Sequence, residues 1–329
     1  MSKPSTKWIT VFIPTFNGEK YLAECLNAVL SQELPHGYEL EVMVIESGSR
    51  DRTMEILQEY KSRINLSTIP NSEFSHSGTR AKAARQAKGE YILFLTQDAT
   101  PAHNRWLISM IEPFFLGPRV GCVFGAQVPR ADAAPTIKRE VTIAFAALGD
   151  RNSITLHRHQ SLVDGRDTNG LNTFFSDANS AVRRDLLTGE VPFRQVSYAE
   201  DQALAEDMQK KGYIKAYAPQ GEVWHSNEYT AREYFHRKFD EFIGLQSSLG
   251  TTLSPSLKNL LVGWLRPTWY DYRFILRDKQ YGPRLKLKGF LTAPAYNFAS
   301  QAGRYWAAKH HTNEAVRTKM SLEARRRPK

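Results

Sequence analysis

Two rhythms of apolar residues alternate over the first hundred positions. Residues 8–13, "WITVFI", are β-branched and aromatic and stop at Pro14, which predicts a buried strand. Tyr21, Leu22, Cys25, Leu26, Val29 and Leu30 then recur at three- and four-residue intervals, the spacing of one face of a helix. The pair repeats. "LEVMVIE" at 40–46 predicts a second strand and "TMEILQEY" a helix. "INLSTIP" predicts a third strand, followed by the helical "GTRAKAARQAKG" with Gly89 as its stop, and "EYILFL" a fourth. This alternation predicts an α/β fold, a Rossmann-like and mainly parallel sheet with helices on both faces.

From about residue 119 the rhythm changes. "RVGCVFGAQVP" reads as a strand and turn, and the stretch 130–172 is polar with few periodic signals. "FFSDANSAVRRDLL" reads as a strand into a helix, "YAEDQALAEDMQKKGY" as a loop into a helix capped at Gly212, and "IKAYAPQGEVWHSN" as a strand with a turn. Beyond Tyr229 the pattern is helical, and "GTTLSPS" at 250–256 marks a hinge.

Charge adds a division that hydropathy does not show. The formal net charge is +10, yet residues 258–329 hold sixteen Lys and Arg against four Asp and Glu, so residues 1–257 sum to −2. The same tail interleaves Trp, Tyr and Phe with its cations, as a segment lying on an anionic membrane surface does. Nucleic-acid binding and a solvated helical bundle that oligomerises are the other readings of that pattern. Cys25 and Cys122 show no metal-ligand spacing, which fits a reducing cytoplasm. The start, "MSKPSTKW", lacks a signal-peptide core, and no run reaches the roughly 18 apolar residues of a spanning helix, so a soluble or peripheral protein is expected.

In sheets of this kind ligands bind beyond the carboxyl ends of the strands. "IPTFNG", "IESGSRD" and "LTQDATP" all sit there. In the last of these a buried strand runs into one lone carboxylate, Asp98, with Pro101 three residues on. Alone, Asp98 reads equally as a loop cap or as a ligand for a hard cation. Glu200 and Asp201 at a helix start and His225 after a strand supply further acid–base and ligand chemistry.

The succession "VFIPTFNGEKYLAECLNAVLSQ", "VMVIESGSRDRT", "FSHSGTRAKAARQAKGEYILFLTQDATP", "EDQALAEDMQKKGY" and "VWHS" resembles the family 2 glycosyltransferases. Within them it is most similar to the rhamnosyltransferase-like branch, with its F-x-H-x-x-T-R and T-Q-D-A-x-P runs. The resemblance implies a GT-A domain over residues 1–250, with a nucleotide-sugar half at about 8–118 and an acceptor half at about 119–250. A basic, aromatic-rich helical module over 251–329 follows.

It also implies roles. Pro14, Thr15, Phe16, Asn17, Glu46, Ser47, His76, Arg80, Gln97 and Asp98 are expected to bind the nucleotide-sugar. Arg80 would pair with its diphosphate; Glu46 stands where the family usually has Asp, and Ala81 where Asn is common. One carboxylate replaces the usual Asp-X-Asp, so Mg²⁺ or Mn²⁺ would be held by Asp98, His225, phosphates and water. Asp201 is the expected base, its pKa lowered by the helix dipole, and Glu200 would orient the acceptor or a neighbouring residue.

The implied activity is inverting transfer of L-rhamnose from dTDP-L-rhamnose to a lipid-linked cell-surface glycan at the inner face of the cell membrane. That glycan would be a lipopolysaccharide O-antigen, a capsule or a cell-wall polysaccharide. Transfer of galactofuranose, glucose or N-acetylglucosamine, and a catalytically inactive nucleotide- or glycan-binding role, stay open beside it. No nucleic-acid partner is expected, and homo-oligomerisation is left open.

Overall fold

The computed structural model describes residues 6–158, 174–196, 199–226, 228–249 and 256–326. The chain divides into two compact units, residues 1–128 with 144–225 and residues 129–143 with 226–329.

The first unit is built on a sheet of nine strands among the described residues. β1 (Lys7–Thr15), β2 (Tyr38–Glu46), β3 (Asn65–Thr68) and β4 (Tyr91–Leu95) form its parallel part, in the order β3-β2-β1-β4. β8 (Asn179–Arg183) runs antiparallel between β4 and β6 (Val120–Val128), and β9 (Ile214–Trp224) lies parallel to β6. Two short strands, β5 (Thr100–Pro101) and β7 (Thr155–His157), pair antiparallel with β9. β1 and β4 read as unbroken apolar runs because both sheet faces are covered; Ile9, Val11, Phe12, Ile13 and Leu93 are fully buried. Register sets Thr15 opposite Glu46 and Glu46 opposite Thr68, so three strands end level and their loops collect at one edge.

Helices α1 (Leu22–Leu30), α2 (Thr53–Glu59) and α3 (His76–Gln86) fall where the periodicity puts them. Gly212, with φ +82°, sits two residues beyond α7 (Glu200–Lys210) and takes the left-handed position of a helix stop. Gly89 does something else. Helix α3 already ends at Gln86, and a Cβ on Gly89 would lie 2.5 Å from the Thr10 amide nitrogen, so glycine is needed for close backbone approach. Between them lie α4 (Trp106–Ile111), α5 (Pro135–Ala146) and α6 (Arg184–Thr188). Helix α5 lies within the stretch read as having few periodic signals.

The second unit is helical: residues 135–143 of α5, then α8 (Ala231–Leu249), α9 (Leu257–Arg277), α10 (Pro283–His310), α11 (Glu314–Met320) and α12 (Leu322–Arg326). Phe239 and Phe242 of α8 pack on Ala307 and Ala308 of α10. Gly303 lets the two helices close up, since a Cβ there would lie 2.5 Å from the Phe235 carbonyl oxygen. Polar groups are buried too. Asp271, fully buried, accepts from Arg139 Nε, from Thr136 Oγ1 at 2.6 Å and from Asn297 Nδ2 at 2.5 Å. The division between units therefore falls after His225, and α8 joins the basic helices instead of closing the sheet domain at about residue 250. The hinge read at 250–256 lies, apart from Ser256, outside the described residues.

Candidate active site

Strand β4 ends at Leu95 and the chain turns at once: Thr96 N donates to the Ala178 carbonyl and Ala99 N back to the Thr96 carbonyl. The turn sets Asp98 on the rim, its side chain 34% exposed, and lets Thr100 and Pro101 join β9. β9 brings His225 to the same place. The His225 ring is buried, with Nε2 3.6 Å from Asp98 Oδ1 and Nδ1 2.8 Å from Gln127 Oε1. Gln127 Nε2 donates to Ser176 Oγ at 3.0 Å. That orients the amide so that Oε1 accepts from Nδ1–H and turns Nε2 toward Asp98. Burial would raise the Asp98 pKa, but the His225 charge and hydrogen bonds from His225 and Thr96 outweigh it and hold the carboxyl at about 2.

An oxygen and a nitrogen donor facing each other across 3.6 Å suit a divalent cation. Among the described residues no group of three His, Cys, Asp or Glu could hold one. The donor set thus fits an ion that draws its other ligands from phosphate and water.

The groups of the second cluster lie up to 120 residues apart in sequence. Arg80, on α3, is 4% exposed. Its Nη1 donates to Glu200 Oε1 at 2.8 Å, and its Nε lies 3.0 Å from Asp177 Oδ2. Ser180 Oγ donates to the other Asp177 oxygen at 2.6 Å. Asp201, the next residue of α7, is half-buried; Oδ2 accepts from Asp177 N at 3.2 Å and Oδ1 from Gln202 N at 2.8 Å. Burial pushes the Asp201 carboxyl up, and the neighbouring Glu200 and Asp177 charges push it further against the opposing pull of Arg80. The direction is opposite to the one the helix dipole alone predicts: three carboxylates share one guanidinium, and desolvation outweighs the dipole. Asp177 is raised likewise, first by burial and then by Glu200.

Several residues expected to contact the ligand make bonds within the scaffold. The Arg80 guanidinium, expected at the diphosphate, is turned inward onto Asp177 and Glu200. Glu200, 6% exposed, is placed to orient a neighbour, Arg80. Gln97 clasps the main chain of Phe16, donating from Nε2 to its carbonyl at 2.8 Å and accepting its N–H at Oε1 at 2.9 Å. Glu46, 3% exposed, accepts from Ser49 N inside its own loop. Thr15 and Ser47 are buried, and Ser47 donates from N at 2.9 Å and from Oγ at 3.1 Å to the Thr15 carbonyl.

The groups left facing the rim are Pro14 and Phe16, both half-buried, exposed Asn17, and half-buried His76, whose ring packs on Phe74 at 5.1 Å. Asn17 and Ala199, at φ +48° and +57°, are the non-glycine residues of positive φ among those described, and both lie in loops of the site. Sequence reasoning missed Asp177 and Gln127. "FFSDANS" carried only a strand signal, and nothing local ties Gln127 to His225 across 98 residues.

The sheet and its rim define a nucleotide-sugar transferase architecture, and comparison with known proteins gives the family. Residues 10–188 match Glycosyl transferase family 2. The O-antigen chain rhamnosyltransferase RfbN of Salmonella typhimurium is 32% identical over 234 residues, 70% of each chain, and WbaN of Salmonella anatum matches to the same extent. The chain belongs to glycosyl transferase family 2, on its rhamnosyltransferase-like side. Among solved structures, the mannosyltransferase PcManGT of Pyrobaculum calidifontis, in complex with GDP-Man and Mn²⁺, shares the fold with a TM-score of 0.58 at 19% identity over 93% of this chain and 87% of that one. Glucosyl-3-phosphoglycerate synthase of Mycobacterium tuberculosis gives 0.50 at 16% identity, over 76% and 82%. The fold is GT-A.

Proposed function

We propose that the protein is an inverting glycosyltransferase that moves L-rhamnose from dTDP-L-rhamnose to a hydroxyl of a lipid-linked surface glycan, working at the inner face of the cell membrane. Its similarity to two O-antigen chain rhamnosyltransferases over 70% of the chain supports the donor and acceptor class. The observation that carries the mechanism is the Asp177–Arg80–Glu200–Asp201 cluster. Asp177 and Glu200 are buried on Arg80, which leaves Asp201 as the member with access to an incoming hydroxyl.

Asp201 takes the acceptor proton while the acceptor oxygen bonds to the anomeric carbon and the bond from that carbon to the diphosphate breaks on the opposite face. A carboxylate raised above its ordinary range is a stronger base for this transfer than an exposed one. Mg²⁺ or Mn²⁺, when bound at Asp98 and His225, supplies positive charge to the departing diphosphate. Asp98 and His225 orient that end of the donor, and the Gln97–Phe16 clasp fixes the loop beneath its base.

Asp201→Asn keeps the shape of the side chain but accepts no proton. Turnover should fall by about 10² or more while donor affinity changes little. The donor is read by the shift in unfolding temperature across a panel of nucleotide-sugars with and without Mn²⁺, since a ligand of the folded state raises it by mass action. Near-normal turnover in Asp201→Asn would move the base elsewhere. A shift with a different sugar nucleotide, and none with dTDP-L-rhamnose, would replace the donor.

A further inference from the structure

Helices α9 and α10 leave a large apolar surface uncovered. Leu261 is 50% exposed, Leu265 60% and Trp269 61%, and successive four-residue steps put them on one side of α9. Leu287 and Leu291, four apart on α10, are 63% and 72% exposed. Rings tie the two helices together: Phe298 of α10 packs edge-on against Trp264 of α9 at 5.6 Å, and Tyr272 of α9 lies 5.1 Å from Phe290 of α10. Single exposed leucines need no explanation, but a run of them along two adjoining helices does.

Charge says what covers them. The span 257–310 carries ten Lys and Arg and two Asp. Both acids are turned inward, Asp271 onto Arg139 and Asp278 onto Lys138, with 2.7 Å between Asp278 Oδ2 and Lys138 Nζ. Apart from Asn259, the exposed side chains of the two helices are apolar, aromatic or basic, and none is acidic. On α9, exposed Arg266, Arg273 and Arg277 recur at seven- and four-residue steps, a ridge beside the leucines. A polyanion such as RNA would use the ridge and gain nothing from the leucines. An anionic bilayer uses both, apolar side chains below the headgroups and cations among them. No helix of the described residues is long and apolar enough to cross a membrane, so the surface is one that lies on a bilayer.

We propose that the paired outer faces of α9 and α10 dock in the plane of an anionic lipid bilayer. This rests on the peripheral setting proposed above and supplies its surface, but it is independent of the chemistry: failure of vesicle binding leaves the assignment of Asp201 untouched.

The test uses the full chain and flotation with vesicles of phosphatidylcholine alone or with 30% phosphatidylglycerol. Binding to the anionic vesicles only, at least tenfold weaker in 0.5 M salt, is expected. Leu265→Glu/Trp269→Glu should abolish it and Arg266→Gln/Arg273→Gln should weaken it severalfold, each variant keeping the parent's unfolding temperature and its dTDP-dependent shift. Should the leucine variant unfold, Leu287→Ser/Leu291→Ser on the second helix gives the same reading. Undiminished flotation by folded variants overturns the proposal, as does absence of flotation by the parent. A parent dimer that the leucine substitutions turn into monomers overturns it in favour of a second copy of the chain, and tight RNA binding without flotation in favour of nucleic acid.

Discussion

At the scale of single residues, the site is a place where stability is given up. Asp201 sits beside two other carboxylates with one arginine between them, and Ala199 just before it is held at φ +57°, a conformation that costs a non-glycine residue roughly 1–2 kcal/mol. A carboxyl whose folded-state pKa is raised binds its proton more tightly in the fold than in the unfolded chain. Its stabilising effect is complete below the ordinary carboxylate range and is lost as pH rises through the raised value. Asp201→Asn removes that loss. The variant that is slowest in turnover should therefore unfold at a higher temperature than the parent at pH 8, and the gap should close on lowering the pH toward about 4. Unfolding curves of both proteins across that range check it. A variant less stable than its parent at pH 8 would mean that the amide cannot keep the bond from Asp177 N, and that the cluster is held by Asp201 instead of strained by it.

At the scale of elements, the rim is three loops fastened to one another. The β1–α1 loop is gripped by Gln97 at Phe16 and by Ser49 Oγ at Asn17 N, 2.8 Å away, and Gly18 is glycine because a Cβ there would strike the Gln97 amide. Gln97→Glu loses the donor to the Phe16 carbonyl and sets carboxylate lone pairs against it. A cost of about 1–3 kcal/mol in unfolding free energy, with weakened donor binding, is expected from denaturant melts and titration. Unchanged values for both would show that the loop holds without the clasp. The same bond shows the limit of what the sequence makes legible. β1, β2 and β4 were legible because buried parallel strands are written as short apolar runs rich in aliphatic and aromatic residues, and α1 because one face of it is apolar. The position of Asp98 at a strand end followed from that alone. The partners of Gln97 and Arg80 did not, since Phe16 lies 81 residues from one and Glu200 120 from the other, and an amide or guanidinium turned inward has the same letter as one turned outward. Helix α5 was passed over although Ile137, Val141, Ala144 and Phe145 recur at helical spacing, because its buried positions also carry Thr136 and Lys138, polar residues whose acidic partners Asp271 and Asp278 lie far along the chain.

At the scale of the whole molecule, the basic tail is not an appendage that can be removed after the sheet domain. Residues 129–143 and α8 precede it in sequence, yet their buried groups are completed by it: Thr136 and Arg139 by Asp271, Lys138 by Asp278, the Ala133 carbonyl by Tyr281 Oη at 2.7 Å, and Phe239 and Phe242 by Ala307 and Ala308. A chain ending at Ser256 strips all of these at once. Lys138 and Arg139, 7% and 15% exposed, would lose their carboxylates, and breaking one buried pair by removing its partner typically costs about 3–5 kcal/mol, a large share of a domain's total. The sheet unit keeps its own core: among the described residues, the cluster of Val11, Leu93 and Val123 holds no side chain from beyond residue 225. Truncation should therefore leave the strands protected while 129–143 and 231–249 lose protection. Hydrogen exchange resolved by peptide distinguishes this from the alternatives. Protection retained in both segments would show that α5 and α8 fold without α9 and α10, and the tail would be a separable module after all. Loss across the sheet as well would show that the two units fold only together.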